Sequence, residues 1–169
     1  MIKKFNKYLS YRNNSLYLDE ISFESIKKKY STPLYCYSLS EIHNNFVELK
    51  KSFKKIKPMI CYAVKANNHN QILSLLSKSG CGADVVSKGE LKKSIDNGIT
   101  PDKIVFSGVG KTKDEIKYAL NKKIKQLNVE SEEELEEIVE IAKVEKKKVN
   151  ICIRVNPDVD TRNHNKIST

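Results

Sequence analysis

The stretch Met59-Ile60-Cys61-Tyr62-Ala63-Val64-Lys65-Ala66-Asn67 is a continuous apolar run that stops at a lysine and an asparagine. Six apolar residues bounded by polar ones fit a buried strand. The same design recurs downstream. Further apolar runs begin at Ala83, Ile104, Ile124 and Val149, so successive starts from Met59 lie 24, 21, 20 and 25 residues apart. Helical stripes lie between them: Ile72, Leu75 and Leu76, then Leu91 and Ile95, then Ile116, Ala119 and Leu120, then Leu135, Ile138, Val139 and Ala142. Ser87 with Glu90, Thr112 with Glu115 and Ser131 with Glu134 have capping-box spacing, in which a hydroxyl accepts from a free backbone N–H and the carboxylate reaches back to the cap. Strand, helix and strand at this spacing predict parallel βαβ units. Crossovers this short suit either a (β/α) barrel or a doubly wound sheet, and periodicity alone does not separate them.

The first 58 residues lack this rhythm. Leu16-Tyr17-Leu18 and Pro33 to Tyr37 read as strands, and Ile21 to Tyr30 as a short helix. Ser38 and Glu41 form another capping-box pair, opening a helix with the stripe Ile42, Phe46, Leu49 and Phe53.

Composition excludes several classes. The 169 residues contain no apolar run near the ~20 needed to span a bilayer. The formal net charge is +10, which at first resembles a nucleic-acid signal. Yet only Arg12, Arg154 and Arg162 are arginines, and Lys, Ile and Asn, whose codons are A/T-rich, make up 60 of the 169 residues. The lysines fall in short scattered runs beside helical segments, and no helix-turn-helix, zinc or RNA-binding pattern accompanies them. A solvated surface is the expectation, with neither nucleic acid nor membrane as partner. Cys36, Cys61, Cys81 and Cys152 form no C-x-x-C pair and are expected to be buried free thiols. The N-terminus has no apolar signal-peptide core, so a cytoplasmic, reducing location is expected.

Four segments bear chemistry. Lys65 follows an apolar strand, where burial would favour the neutral amine that a Schiff-base lysine needs; a lysine snorkelling out at a strand end is the plain alternative. Asp84 lies within the apolar run of Gly82-Ala83-Asp84-Val85-Val86 and asks for a partner, unless that strand edge is exposed. Phe106-Ser107-Gly108-Val109-Gly110-Lys111-Thr112 imitates a phosphate loop, but Val105 stands where the motif needs its first glycine, so the loop is too short to wrap phosphates. Arg154, inside Ile151-Cys152-Ile153-Arg154-Val155, calls for a carboxylate or phosphate; Asp84 on a nearby strand is a plausible partner, in a structural ion pair or a site.

The ordered set is more specific than its members. Tyr62-Ala63-Val64-Lys65-Ala66-Asn67, Gly82-Ala83-Asp84-Val85-Val86-Ser87 with Gly89-Glu90-Leu91, Asn128-Val129-Glu130-Ser131 with Glu134-Leu135, Arg154-Val155-Asn156-Pro157 and His164-Asn165-Lys166-Ile167-Ser168-Thr169 occur in that order. From about Pro33 onward the chain resembles the diaminopimelate decarboxylases, in the alanine-racemase-like class of pyridoxal-phosphate enzymes. Ornithine and arginine decarboxylases share the lysine segment, but the Asn-Pro-Asp-Val-Asp stretch and the His-x-Lys-Ile-Ser-Thr tail are more similar to the diaminopimelate branch. The resemblance implies an α/β fold. Residues 38–169 would supply about five βα units of a (β/α)8 TIM-type barrel that binds pyridoxal 5'-phosphate. Residues 1–37 would contribute to a C-terminal β-domain. It implies Lys65 as the catalytic, cofactor-holding lysine, with Asp84 and Arg154 near the cofactor; His164 matches a motif position with no assigned role. The implied substrate is the small amino acid meso-diaminopimelate, the product L-lysine and the assembly a homodimer. The family pattern continues past Thr169, so the chain is expected to be an N-terminal piece, inactive alone. A non-enzymatic pyridoxal-phosphate-binding barrel, or a remnant without a ligand, are the other readings.

Overall fold

The structure is a computed structural model that describes residues 6–157. The chain divides into two compact units, one up to Pro58 and one from Met59.

The first unit holds an antiparallel sheet of β1 (Leu9–Arg12), β2 (Ser15–Leu18) and β3 (Ile21–Ser22). Arg12 lies opposite Ser15, so Asn13 and Asn14 form a two-residue hairpin loop, both at positive φ, as the twist of a tight hairpin favours. Helix α1 (Phe23–Lys29) follows directly, capped by Ser22 Oγ, and α2 (Leu39–Ser52) is capped by Ser38 Oγ. Ser38 also donates to Asp19 Oδ2 at 2.6 Å. Of the stripe expected for α2 only Phe46 is buried; Leu49 and Phe53 are exposed. Pro33 to Tyr37, read from sequence as a strand, forms none: its backbone has no ladder partner among the described residues.

The second unit carries the predicted rhythm: β4 (Cys61–Ala63), α3 (Asn70–Lys78), β5 (Gly82–Val85), α4 (Lys88–Asp96), β6 (Ile104–Phe106), α5 (Lys113–Lys122), β7 (Gln126–Val129), α6 (Glu132–Val144) and β8 (Ile151–Ile153). The five strands are parallel and ordered β4-β5-β6-β7-β8. A doubly wound sheet reverses its strand order at a switch point and buries both faces. Here the order never reverses. The core lies on one face, where Ala83, Val85, Ile104, Phe106, Leu127 and Val129 meet Leu73, Leu91, Ile116, Leu120 and Ile138. Sequential order with a one-sided core is the arrangement of consecutive βα units of a barrel.

Local chemistry explains the elements. Thr112 and Glu115 form the full reciprocal capping box. Ser87 and Ser131 also cap their helices, but Glu90 and Glu134 reach one residue further back, to the N–H groups of Val86 and Glu130. In α6 the inward stripe is Leu135, Ile138, Ile141 and Ala142, and Val139 turns out to solvent. Gly82 is required by close approach: a Cβ there would stand 2.4 Å from the Lys103 carbonyl oxygen. No disulfide joins the four cysteines; only Cys81 is buried, and Cys152, on β8 at the end of the strand order, is exposed. Among the described residues no helix is long and apolar enough to cross a membrane.

Candidate functional site

Register places Ala63 beside Asp84, Asp84 beside Val105, Val105 beside Gln126 and Asn128 beside Cys152. Side chains alternate along a strand, so these residues share the face opposite the helix-covered core. Chemistry-bearing groups collect on this face and at the C-terminal ends of its strands, the end where (β/α) barrels build sites.

Lys65 sits in a 3₁₀ turn, Val64–Ala66, immediately after β4. Val64 is fully buried and anchors the turn, while the Tyr62 hydroxyl donates to the Asn67 carbonyl at 3.1 Å across it. Lys65 itself is exposed, against the expectation of a buried amine. The turn breaks the strand's alternation and sends only Val64 inward.

Asp84, in β5, is half-buried and does have a partner: the Ser107 hydroxyl donates to its Oδ1 at 2.6 Å. Ser107 Oγ in turn accepts from Asn128 Nδ2 at 2.9 Å. The nearby Cys61 thiol is pushed up from its ordinary pKa, first by burial and then by the charge of Asp84, with Lys125 opposing.

Arg154 differs from the sequence expectation twice. It follows β8 rather than lying within it, and its side chain is about half exposed. Its partner is Glu130, at 2.8 Å, and not Asp84. Strand order gives the reason, since β6 and β7 separate β5 from β8. Glu130 is nearly buried and accepts from the Gly108 N–H with its other oxygen at 2.9 Å. Gly108 has φ +105°, a conformation that strains any other residue there.

The phosphate-loop look-alike resolves into structure. Lys111 folds inward with its side chain 1% exposed and donates to Glu134 Oε1 at 2.6 Å and to the carbonyls of Gly108 and Asn128, each at 2.7 Å. An ammonium has three donors, and all three are used. A cleft of about 410 Å³, lined by Lys123, Lys146, Lys147 and Val149, opens at the opposite, N-terminal end of these strands. His164 lies outside the described residues.

Sequence reasoning assigned no role to Ser107, Asn128 or Glu130. A signal was present: β7 and its extension alternate Gln126, Asn128 and Glu130 with Leu127 and Val129, as a strand does when one face is polar.

Comparison with known proteins adds to this geometry. The family model for the pyridoxal-dependent decarboxylase, pyridoxal binding domain, matches residues 39–169. The chain is 43% identical over its full length to a diaminopimelate decarboxylase from Aquifex aeolicus, covering 40% of that protein. It is 47% identical over 148 residues to the one from Helicobacter pylori, covering 88% of this chain and 36% of that one. The crystal structure of diaminopimelate decarboxylase from Helicobacter pylori complexed with L-lysine superposes with a TM-score of 0.83 at 46% identity, over 87% of this chain and 37% of that chain. The chain thus spans roughly two fifths of the length of these relatives. A domain-wide family match, on a sheet in barrel order with a lysine at the end of its first strand, places the chain among the pyridoxal-dependent decarboxylases, where it corresponds to the pyridoxal-binding domain.

Proposed function

We propose that the chain is the cofactor-binding part of a protein that decarboxylates meso-diaminopimelate to L-lysine. The observation that carries this reading is the exposed Lys65 amine at the C-terminal end of β4, on the same end of the sheet as Asp84 and Arg154. The identity to diaminopimelate decarboxylases supports the substrate.

The donor set suits pyridoxal phosphate. Lys65 offers a primary amine for its aldehyde, Asp84 a carboxylate, and Arg154 a cation for an anionic group. When bound, the cofactor supplies the electron sink for the bond to the departing carboxylate. The chain's own residues supply placement. Buried Val64 and the Tyr62–Asn67 hydrogen bond fix the backbone on either side of Lys65. Asp84, beside Ala63 in register, sets a negative charge two residues from Lys65 along the neighbouring strand. Glu130 holds the Arg154 guanidinium at the end of β8. Orientation of this kind decides which bond of a bound amino acid breaks. Residues 1–37 contribute to a β-domain, and the whole protein works in the cytoplasm as a homodimer.

The test uses the whole protein that contains this chain. Lys65→Ala is expected to abolish lysine formation from meso-diaminopimelate while leaving the melting temperature within a few degrees, since Lys65 is exposed. Lysine formation at wild-type rate in that variant would overturn the assignment.

A further inference from the structure

One hydrogen-bond chain on the polar face has no part in the roles given to Lys65 and Arg154. Gln126 Nε2 donates to Asn128 Oδ1 at 2.9 Å, Asn128 Nδ2 donates to Ser107 Oγ at 2.9 Å, and the Ser107 hydroxyl donates to Asp84 Oδ1 at 2.6 Å. Each link sets the sense of the next. The Asn128 amide oxygen accepts from Gln126, so its NH₂ group faces Ser107. A hydroxyl carries one proton. With Ser107 Oγ accepting from Asn128, that proton is committed to Asp84. Strand β7 and the residue that follows β6 thus contribute donors in a single direction that ends on one carboxylate of β5. All four residues are half-buried, where such links gain strength over bulk water.

The arrangement exceeds what holding strands together requires, since backbone ladders already join β5, β6 and β7. What it adds is orientation. An unheld carboxylate turns about its last torsion; one gripped at Oδ1 presents Oδ2 in a single place. Among the described residues, Oδ2 of Asp84 receives no hydrogen bond.

We infer that Ser107 and Asn128 are positioning residues that hold the Asp84 carboxylate in one orientation toward the group bound at Lys65. The inference rests on the reading of Lys65 and Asp84 given above.

The experiment titrates the 169-residue chain with pyridoxal phosphate, reduces with borohydride and quantifies the labelled Lys65 peptide by mass spectrometry, with circular dichroism on every variant. Ser107→Ala should raise the half-saturating concentration roughly fivefold, the value of one hydrogen bond. Asn128→Asp, nearly isosteric, should do the same, because its carboxylate takes the Ser107 proton and turns it away from Asp84. Ser107→Thr keeps the hydroxyl and should stay within about twofold of wild type. In an Asp84→Ala background, Ser107→Ala should have no further effect, the mark of a residue acting through another. Wild-type binding in both Ser107→Ala and Asn128→Asp would overturn the inference, as would a full Ser107→Ala effect in the Asp84→Ala background. A wild-type chain left unlabelled at Lys65 would instead sink the reading of Lys65, and the positioning role with it.

Discussion

The two faces of the parallel sheet are made from alternate residues of the same strands, yet they hold different chemistry. Toward the helices, Val85, Ile104, Phe106 and Leu127 are fully buried in the apolar core, with the Lys111 ammonium 5.8 Å from the centroid of the Phe106 ring. On the other side half-buried Asp84, Ser107 and Asn128 are joined by hydrogen bonds, and nearly buried Glu130 accepts from the Gly108 N–H and from Arg154. Phe106 and Ser107 are consecutive, and one packs while the other orients. The contrast teaches that stability and chemistry are assigned by parity along each strand. Substitutions on one face should cost folding energy, and those on the other should change binding.

The largest effect that could break this division lies at Phe106. Phe106→Ala leaves a cavity beneath the sheet and is expected to cost about 4 kcal/mol in urea unfolding; a loss below about 1 kcal/mol would show that the packed face is not what holds the unit together. Next comes Glu134, which reaches from α6 to the edge of the site without serving it. Glu134→Gln strips the carboxylate from a Lys111 ammonium that is 1% exposed. About 3 kcal/mol of destabilisation should follow, with labelling of Lys65 by pyridoxal phosphate kept wherever the variant is folded. A selective loss of labelling in folded protein would move Lys111 into the site.

The smallest effect sharpens the polar face itself. Cys61 stands on it, and both burial and Asp84 raise its thiol pKa, so it carries less thiolate at pH 8 than an unperturbed thiol. Iodoacetamide should therefore modify exposed Cys152 before Cys61, and the Cys61 rate should climb as pH rises toward its elevated pKa. Asp84→Asn removes one of the two raising influences and should speed Cys61 alkylation at fixed pH. An unchanged rate would mean that the Asp84 charge does not reach the thiol.

Much of the packed face was legible in the sequence because its signals are local. Apolar runs, stripes at helical spacing and Ser/Thr-x-x-Glu pairs mark strands, helices and caps without reference to anything distant. The polar face depended on which strands become neighbours, and that is set by topology. Arg154 was matched with Asp84 on chemistry alone, whereas two intervening strands hand it to Glu130. Lys65 was expected to be buried because the apolar run continues to Val64, but a 3₁₀ turn, invisible to a period-two reading, exposes it. Pro33 to Tyr37 has strand composition but no ladder partner among the described residues. Strand β1 went unrecognised because Leu9-Ser10-Tyr11-Arg12 offers only two apolar residues before the Asn13-Asn14 turn that defines the hairpin.

The central claim is that the polar face, through Lys65, is where the cofactor is held. The chain's 28 lysines make that claim easy to contradict. Reduction of the pyridoxal phosphate complex with borohydride, followed by peptide mapping, reads it directly. The account predicts one dominant modified residue, Lys65, and loss of that label in Lys65→Ala. Modification spread evenly over surface lysines, or undiminished in Lys65→Ala, would contradict it.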